Sequence, residues 1–219
     1  MPILSYILTA LGAYLLGSIP FGYLMAKAKG IDIRSVGSGN IGATNAMRVL
    51  GKPAGIFVLL MDALKGYAAV CLGVAVFTKF QSASAESANH AAVMTQALNQ
   101  GINAGIFAVL GHNYTCWLRF KGGKGIATTA GVYLALAPWA LLITLGIFII
   151  ALLLTRYVSV ASMSAAIALP ISVYWMQNNE QLSIVTFAFG VLAIYKHKSN
   201  LQRLMAGTEN RLGQKKESK

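Results

Sequence analysis

Arg119-Phe120-Lys121-Gly122-Gly123-Lys124-Gly125-Ile126-Ala127-Thr128-Thr129 is a basic, glycine-rich segment wedged between two oily stretches. Its three cations and three glycines sit where the chain must enter or leave a bilayer. Residues without side-chain bulk let backbone N–H groups close on a ligand, and lysines add positive charge. That combination suits phosphate, and its position points to a phosphate attached to something lipid-like.

The sequence on either side is that of a membrane protein. Of 219 residues, 56% are hydrophobic and 11% charged, where a soluble domain carries about 25% charged residues. The charges are clustered, which leaves apolar runs long enough to cross ~30 Å of hydrocarbon. The expected fold is an all-α integral membrane protein with seven transmembrane helices, at roughly 3–26, 54–78, 101–118, 126–137, 139–155, 158–176 and 182–196. The first apolar run is too long for a signal peptide and lacks a basic leader, so it reads as a retained span. Cys71 and Cys116 lie in apolar segments and read as small core residues rather than a disulfide.

Cation placement gives the direction. With the N-terminus outside, the cytoplasmic side receives Lys27, Lys29, Arg34, Arg48 and Lys52, then Arg119, Lys121 and Lys124, then Arg156. The C-terminal tail adds Lys196, Lys198, Arg203, Arg211, Lys215, Lys216 and Lys219. Only Lys65, within a span, and Lys79 fall elsewhere. An N-out, C-in orientation follows. Residues 1–219 read as one domain, with 79–100 an external polar segment and 207–219 a flexible basic tail.

Unusual residues gather on the predicted cytoplasmic side. The loop from Asp32 to Arg48 offers Ser38, Asn40, Thr44 and Asn45 as neutral hydrogen-bonding groups and Arg48 as a planar fork for phosphate. Asp62 and Lys65 stand one helical turn apart and are expected to neutralise each other. The glycine-rich segment is not a Walker A loop, since Leu118 sits where the first glycine would be. It reads better as a phosphate nest feeding a helix N-terminus. His112 could pack between helices or touch substrate. Farther on, Arg156 to Ser162 joins two spans, and His197 and Asn200 are spaced to share a helical face; Glu209 is placed to brace a cation.

These segments resemble the bacterial acyl-phosphate:glycerol-3-phosphate acyltransferase family (membrane-integral, PlsY-like). The matching stretches are Gly17–Gly22, Gly37–Asn45, Lys121–Thr128 and His197–Leu204 with Gly207-Thr208-Glu209. The resemblance implies transfer of an acyl group from acyl phosphate to glycerol 3-phosphate, giving 1-acyl-glycerol 3-phosphate (lysophosphatidic acid), at the cytoplasmic face of a bacterial inner membrane. It assigns the acyl-phosphate phosphate to Gly122, Gly123, Lys124, Gly125, Ile126, Ala127 and Thr128. It assigns glycerol 3-phosphate to Ser38, Arg48, Lys124, Ser162, His197 and Asn200, with Asn40, Thr44 and Asn45 as neighbours. His197, Asn200 and Lys124 would be the catalytic group.

The residues agree with this chemistry. Two anionic substrates, one with an acyl chain, need cations beside a lipid-accessible surface. Acyl phosphate is already activated, so the task is to hold two anions together and orient a hydroxyl. Position +5 from His90, His112 and His197 is Thr95, Trp117 and Gln202, so the histidine–aspartate pair of other acyltransferases is absent. A phosphate oxygen of the donor is then the favoured proton acceptor, with His197 the other candidate. Six scattered acidic residues make a Mg²⁺ cage implausible; no cofactor and no nucleic-acid partner are expected. The rival class is a transporter or flippase of a phosphorylated lipid or small organophosphate, which would place charged or broken positions mid-membrane.

Overall fold

Pro20 divides the first apolar segment into two helices, because proline lacks an N–H and disfavours helical geometry in the residue before it. In the computed structural model, which describes residues 2–82 and 90–213, these helices are α1 (Pro2–Ser18) and α2 (Phe21–Lys27). Then follow α3 (Ala43–Leu50), α4 (Lys52–Ser82), α5 (His90–Asn113), α6 (Ile126–Leu136), α7 (Pro138–Thr155), α8 (Val158–Met176), α9 (Glu180–Lys196) and α10 (Lys198–Met205). A 3-10 turn, Cys116–Leu118, lies between α5 and α6. No strand occurs among the described residues.

Among the described residues, four segments are long and apolar enough to cross a membrane: Ile3–Lys27, Lys52–Phe80, Pro138–Thr155 and Val158–Met176. Helix α6 is apolar but shorter. The expected third span, 101–118, is corrected. Helix α5 starts earlier, at His90, and stops at Asn113, because Gly122 and Gly123 donate to the carbonyls of Asn113 and His112 and cap it there. Hydropathy reads the apolar Cys116-Trp117-Leu118 as more helix and cannot see those caps. The expected polar segment 79–100 is for the most part the end of α4 and the start of α5; residues 83–89 lie outside the described residues. So do residues 214–219, including Lys215, Lys216 and Lys219. Cys71 and Cys116 are both free, but Cys71 is exposed rather than a core residue.

The chain forms two compact units, Met1–Leu136 and Ala137–Lys219. In the first, α4 is central and packs against α1, α3, α5 and α6. Small residues let helices approach closely: Ala13, Ala69, Ala104 and Ala108 form one buried cluster. A second cluster joins Ile33, Ile41 and Ala46 to Val58 and Leu118, so the loop before α3 and the connection before α6 share one apolar core. In the second unit α8 packs against α7 and α9. Pro138 opens α7 at the position where a missing N–H costs nothing. Asn179 caps α9 by accepting from Leu182 N–H at 2.8 Å. Leu142, Ile149, Ile150, Leu153 and Leu154 on α7 are exposed, as befits a lipid-facing surface.

The break at Pro20 leaves carbonyls that an apolar medium cannot satisfy. Side chains from elsewhere in the first unit meet them. Lys65 Nζ donates to Ile19 O at 2.8 Å, and Thr115 Oγ1 donates to Ser18 O at 2.6 Å. Lys65 is also 2.8 Å from Asp62 Oδ1, and both are buried, so the pair has the structural role expected of it. Lys65→Met should therefore lower the thermal unfolding midpoint in detergent, by about 3–5 kcal/mol of stability, because the buried Asp62 carboxylate loses its ammonium partner and Ile19 O keeps only the Phe21 N–H at 3.2 Å. Adding Asp62→Asn to Lys65→Met should recover part of the loss; an unchanged midpoint in Lys65→Met would contradict this role.

Candidate active site

The turn before α6 is built from the backbone outward. After α5 ends, Arg119 and Phe120 adopt left-handed conformations, φ 54° and 61°, which non-glycine residues rarely do. Phe120 N–H donates to Thr115 O at 2.9 Å and Lys121 N–H to Leu118 O at 3.1 Å, closing the turn. Gly122 N–H then donates to Asn113 O at 3.2 Å and Gly123 N–H to His112 O at 3.0 Å. These two glycine N–H groups are spent on the end of α5, so they shape the turn rather than form the open nest expected from sequence. Gly123 lies so close to the His112 ring that a Cβ would collide with Nε2. Gly125 has φ +83°, a conformation that favours glycine, and it delivers the chain into α6.

Helix α6 begins its ladder with Thr129 N–H donating to Gly125 O at 2.7 Å. The N–H groups of Ile126, Ala127 and Thr128 precede that ladder and have no intrahelical carbonyl to meet. Their dipoles favour an anion. Lys124 is half-buried beside them in sequence. Thr128 is buried, and its Oγ1 has no hydrogen-bond partner among the described residues.

The loop before α3 is organised by Asn45. Its Nδ2 donates to Ile33 O, Val36 O and Asn40 O at 3.2, 3.1 and 2.9 Å, and its Oδ1 accepts from Ser38 N–H at 2.9 Å. Asn45 is buried and its amide is fully used, so it holds the loop that carries Ser38. Asn40 Oδ1 accepts from Gly42 N–H at 2.8 Å and shapes the entry to α3. Thr44 and Arg48 lie one turn apart on α3, and both are exposed, as is Ser38. Arg34 makes a two-pronged pair with Asp32 at 2.9 and 2.8 Å. Those hydrogen bonds hold the Asp32 carboxyl down to about 2 and keep Arg34 engaged.

In the second unit, Glu209 gathers three donors. Its Oε1 accepts from Ser159 Oγ at 2.9 Å and from Asn200 Nδ2 at 2.7 Å. Its Oε2 accepts from Arg203 Nε at 2.7 Å. His197, buried at the junction of α9 and α10, has Nδ1 2.7 Å from Ala193 O. A carbonyl can only accept, so Nδ1 carries the proton and Nε2 is the basic nitrogen of the neutral ring. Ser162 is buried on α8, one turn beyond Ser159. The chain after Gly207 returns to the α7–α8 corner: Leu212 N–H donates to Arg156 O at 2.7 Å, and Arg211 Nε donates to Tyr157 OH at 3.0 Å. Residues 207–213 are therefore anchored.

Sequence reasoning missed two relationships. The sequence suggests that Glu209 braces one cation, whereas in the structure it also fixes Asn200 and Ser159. His112 and Asp62, far apart in sequence, meet as an imidazole and a carboxylate, Nδ1 to Oδ1 at 3.5 Å. No spacing motif reports a contact between two helices.

A family model described as glycerol-3-phosphate acyltransferase matches residues 7–207. The chain belongs to the glycerol-3-phosphate acyltransferase family. Relatives described by that name include proteins from Geotalea daltonii, 44% identical over 207 residues with 94% of this chain and 97% of the relative covered. Another, from Geobacter sulfurreducens, is 44% identical over 205 residues, covering 94% and 96%. Among solved structures, the chain is similar to PlsY (YgiH), an integral membrane glycerol 3-phosphate acyltransferase, in its glycerol 3-phosphate form. The TM-score is 0.83 at 36% identity, with 95% of this chain and 96% of that chain covered. The lysophosphatidic acid form of the same protein gives a TM-score of 0.80. The fold is thus that of an integral, multi-pass membrane enzyme family.

Burial raises the Glu209 carboxyl, but its hydrogen bonds from Asn200, Arg203 and Ser159 outweigh this and hold it below the ordinary 4.5. A lowered folded-state value means that its contribution to stability is complete above 4.5 and is lost as pH falls through the lowered value. Thermal unfolding of the wild type should therefore show an acid-side loss that Glu209→Gln lacks. Parallel acid limbs in the two proteins would remove Glu209 from that role.

Proposed function

We propose that the protein transfers an acyl group from acyl phosphate to glycerol 3-phosphate, releasing phosphate and 1-acyl-glycerol 3-phosphate (lysophosphatidic acid). It does so as one catalytic domain with seven spans, N-terminus out and C-terminus in, at the cytoplasmic face of a bacterial inner membrane. The observation that supports this most is the turn before α6. There Lys124, the leading N–H groups of α6 and the hydroxyl of buried Thr128, unpartnered among the described residues, lie together in one short stretch. Buried polar groups are normally paired, and a phosphate oxygen would complete this set.

In this reading the stretch from Gly122 to Thr128 holds the phosphate of the acyl donor, with Gly122 and Gly123 shaping the turn. Ser38, Arg48, Lys124, Ser162, His197 and Asn200 bind glycerol 3-phosphate; Asn40 and Asn45 support their loop, and Thr44 shares the α3 face of Arg48. The substrate hydroxyl attacks the acyl carbonyl, a new C–O ester bond forms, and the C–O bond to phosphate breaks. The hydroxyl proton passes to a phosphate oxygen of the donor, which becomes basic enough to take it as the phosphate leaves. His197, held by Ala193 O with Nε2 basic, and Asn200, held by Glu209, orient the hydroxyl. The cations offset repulsion between two anions and stabilise charge developing on the leaving phosphate.

Purified protein in detergent, given glycerol 3-phosphate with palmitoyl phosphate or palmitoyl-CoA, should form lysophosphatidic acid only from the former. Equal use of the thioester would refute the donor. The pH–rate profile of His197→Gln separates the two proton acceptors: the residual activity should keep the wild-type acid limb if phosphate accepts the proton, and lose it if His197 does.

A further inference from the structure

A buried charged cluster lies against the turn before α6, wholly within the first unit, and the reaction above makes no use of it. Asp62 and Lys65 on α4 and His112 on the last turn of α5 are 3%, 3% and 5% exposed. Lys65 has a structural task, since it satisfies Ile19 O, and Asp62 neutralises it. Neither task needs His112. Yet the His112 ring is held between two things: Nδ1 faces Asp62 Oδ1 at 3.5 Å, and the opposite edge, Nε2, abuts Gly123 with no room for a Cβ. The His112 carbonyl also accepts from Gly123 N–H at 3.0 Å. One residue therefore holds Gly123 by a main-chain hydrogen bond and bounds the space beside it with its ring, and Gly123 is bonded directly to Lys124.

We propose that His112 is a positioning residue for the phosphate-holding turn. Asp62 orients the imidazole through its Nδ1 edge, and the Nε2 edge sets the path of Gly123. That path fixes where Lys124 and the leading N–H groups of α6 point. His112 touches no substrate. A group one step behind the binding residues acts by fixing their direction; behind metal ligands the loss of such a group typically costs about 10–100-fold in affinity or activity, which sets the scale expected here. The chain from Asp62 to His112 to Gly123 is also the physical reason that position 123 must lack a side chain. This inference rests on the reading of the turn as the holder of the donor phosphate.

The test is steady-state kinetics of the full-length protein in detergent, with palmitoyl phosphate and glycerol 3-phosphate each varied, beside thermal unfolding. His112→Ala should raise KM for palmitoyl phosphate about tenfold, raise KM for glycerol 3-phosphate by less, because Lys124 is its one ligand on this turn, and leave the unfolding midpoint near wild type. His112→Asn, which keeps a polar edge, should recover part of the loss. Gly123→Ala should be severe in the wild-type background, where the new methyl meets the ring. It should be much milder in the His112→Ala background, so the two changes are non-additive. Should His112→Ala fold poorly, the Gly123→Ala comparison in His112→Asn gives the same readout. A rise in KM for glycerol 3-phosphate instead of the donor supports positioning by His112 but overturns the assignment of the turn to the donor. Wild-type KM values in His112→Ala, or a lowered unfolding midpoint with unchanged KM and additive effects, would overturn the proposal.

Discussion

The ammonium of Lys65, 2.8 Å from Asp62 Oδ1 and 2.8 Å from the carbonyl of Ile19, is the tie on which the first unit depends. A proline break inside an apolar segment frees carbonyls that lipid cannot satisfy, each worth several kcal/mol. A lysine in the same medium is costly unless paired. Each defect is the remedy for the other, and Asp62 closes the charge balance. The result fixes α4 against the α1–α2 break and puts a carboxylate beside His112 at the end of α5. The turn before α6 is built on that end.

The two units assemble their functional groups by different means. In the first, backbone does the work: glycine N–H groups cap α5, a left-handed pair reverses the chain, and the N-terminus of α6 emerges next to Lys124. Asn45 performs a comparable service for the loop carrying Ser38, since one amide meets three carbonyls and one N–H. In the second unit a single carboxylate, Glu209, collects Ser159, Asn200 and Arg203, and Ala193 O fixes the tautomer of His197. The first unit thus offers N–H dipoles and cations suited to phosphate. The second offers an imidazole and an amide, groups suited to handling a hydroxyl.

Much of this was legible in the sequence, and the failures have physical reasons. The density of glycine and lysine at 121–125 announces a special turn, and the structure has one there, with the Gly122 and Gly123 N–H groups meeting the end of α5. The pairing of Asp62 with Lys65 follows from helical spacing alone. The end of α5 was misplaced because Cys116-Trp117-Leu118 is apolar in any conformation; only the caps from Gly122 and Gly123 reveal the stop. The loop-organising role of Asn45 is invisible in sequence, because an amide that folds a loop looks there like one that binds a ligand. Spacing suggested that His197 and Asn200 act together. It pointed to Glu209 bracing a cation but not to its hold on Asn200, since three donors from α8 and α10 converge on it only in the fold.

The central claim is that Lys124 and the start of α6 hold a phosphate in the reaction. Turnover of palmitoyl phosphate by Lys124→Ala tests it most directly, with the unfolding midpoint measured on the same sample. The account predicts a fall in kcat/KM of about 100-fold or more in a protein that unfolds at the wild-type temperature, with Lys124→Arg partly active. Wild-type kcat/KM in Lys124→Ala would contradict it.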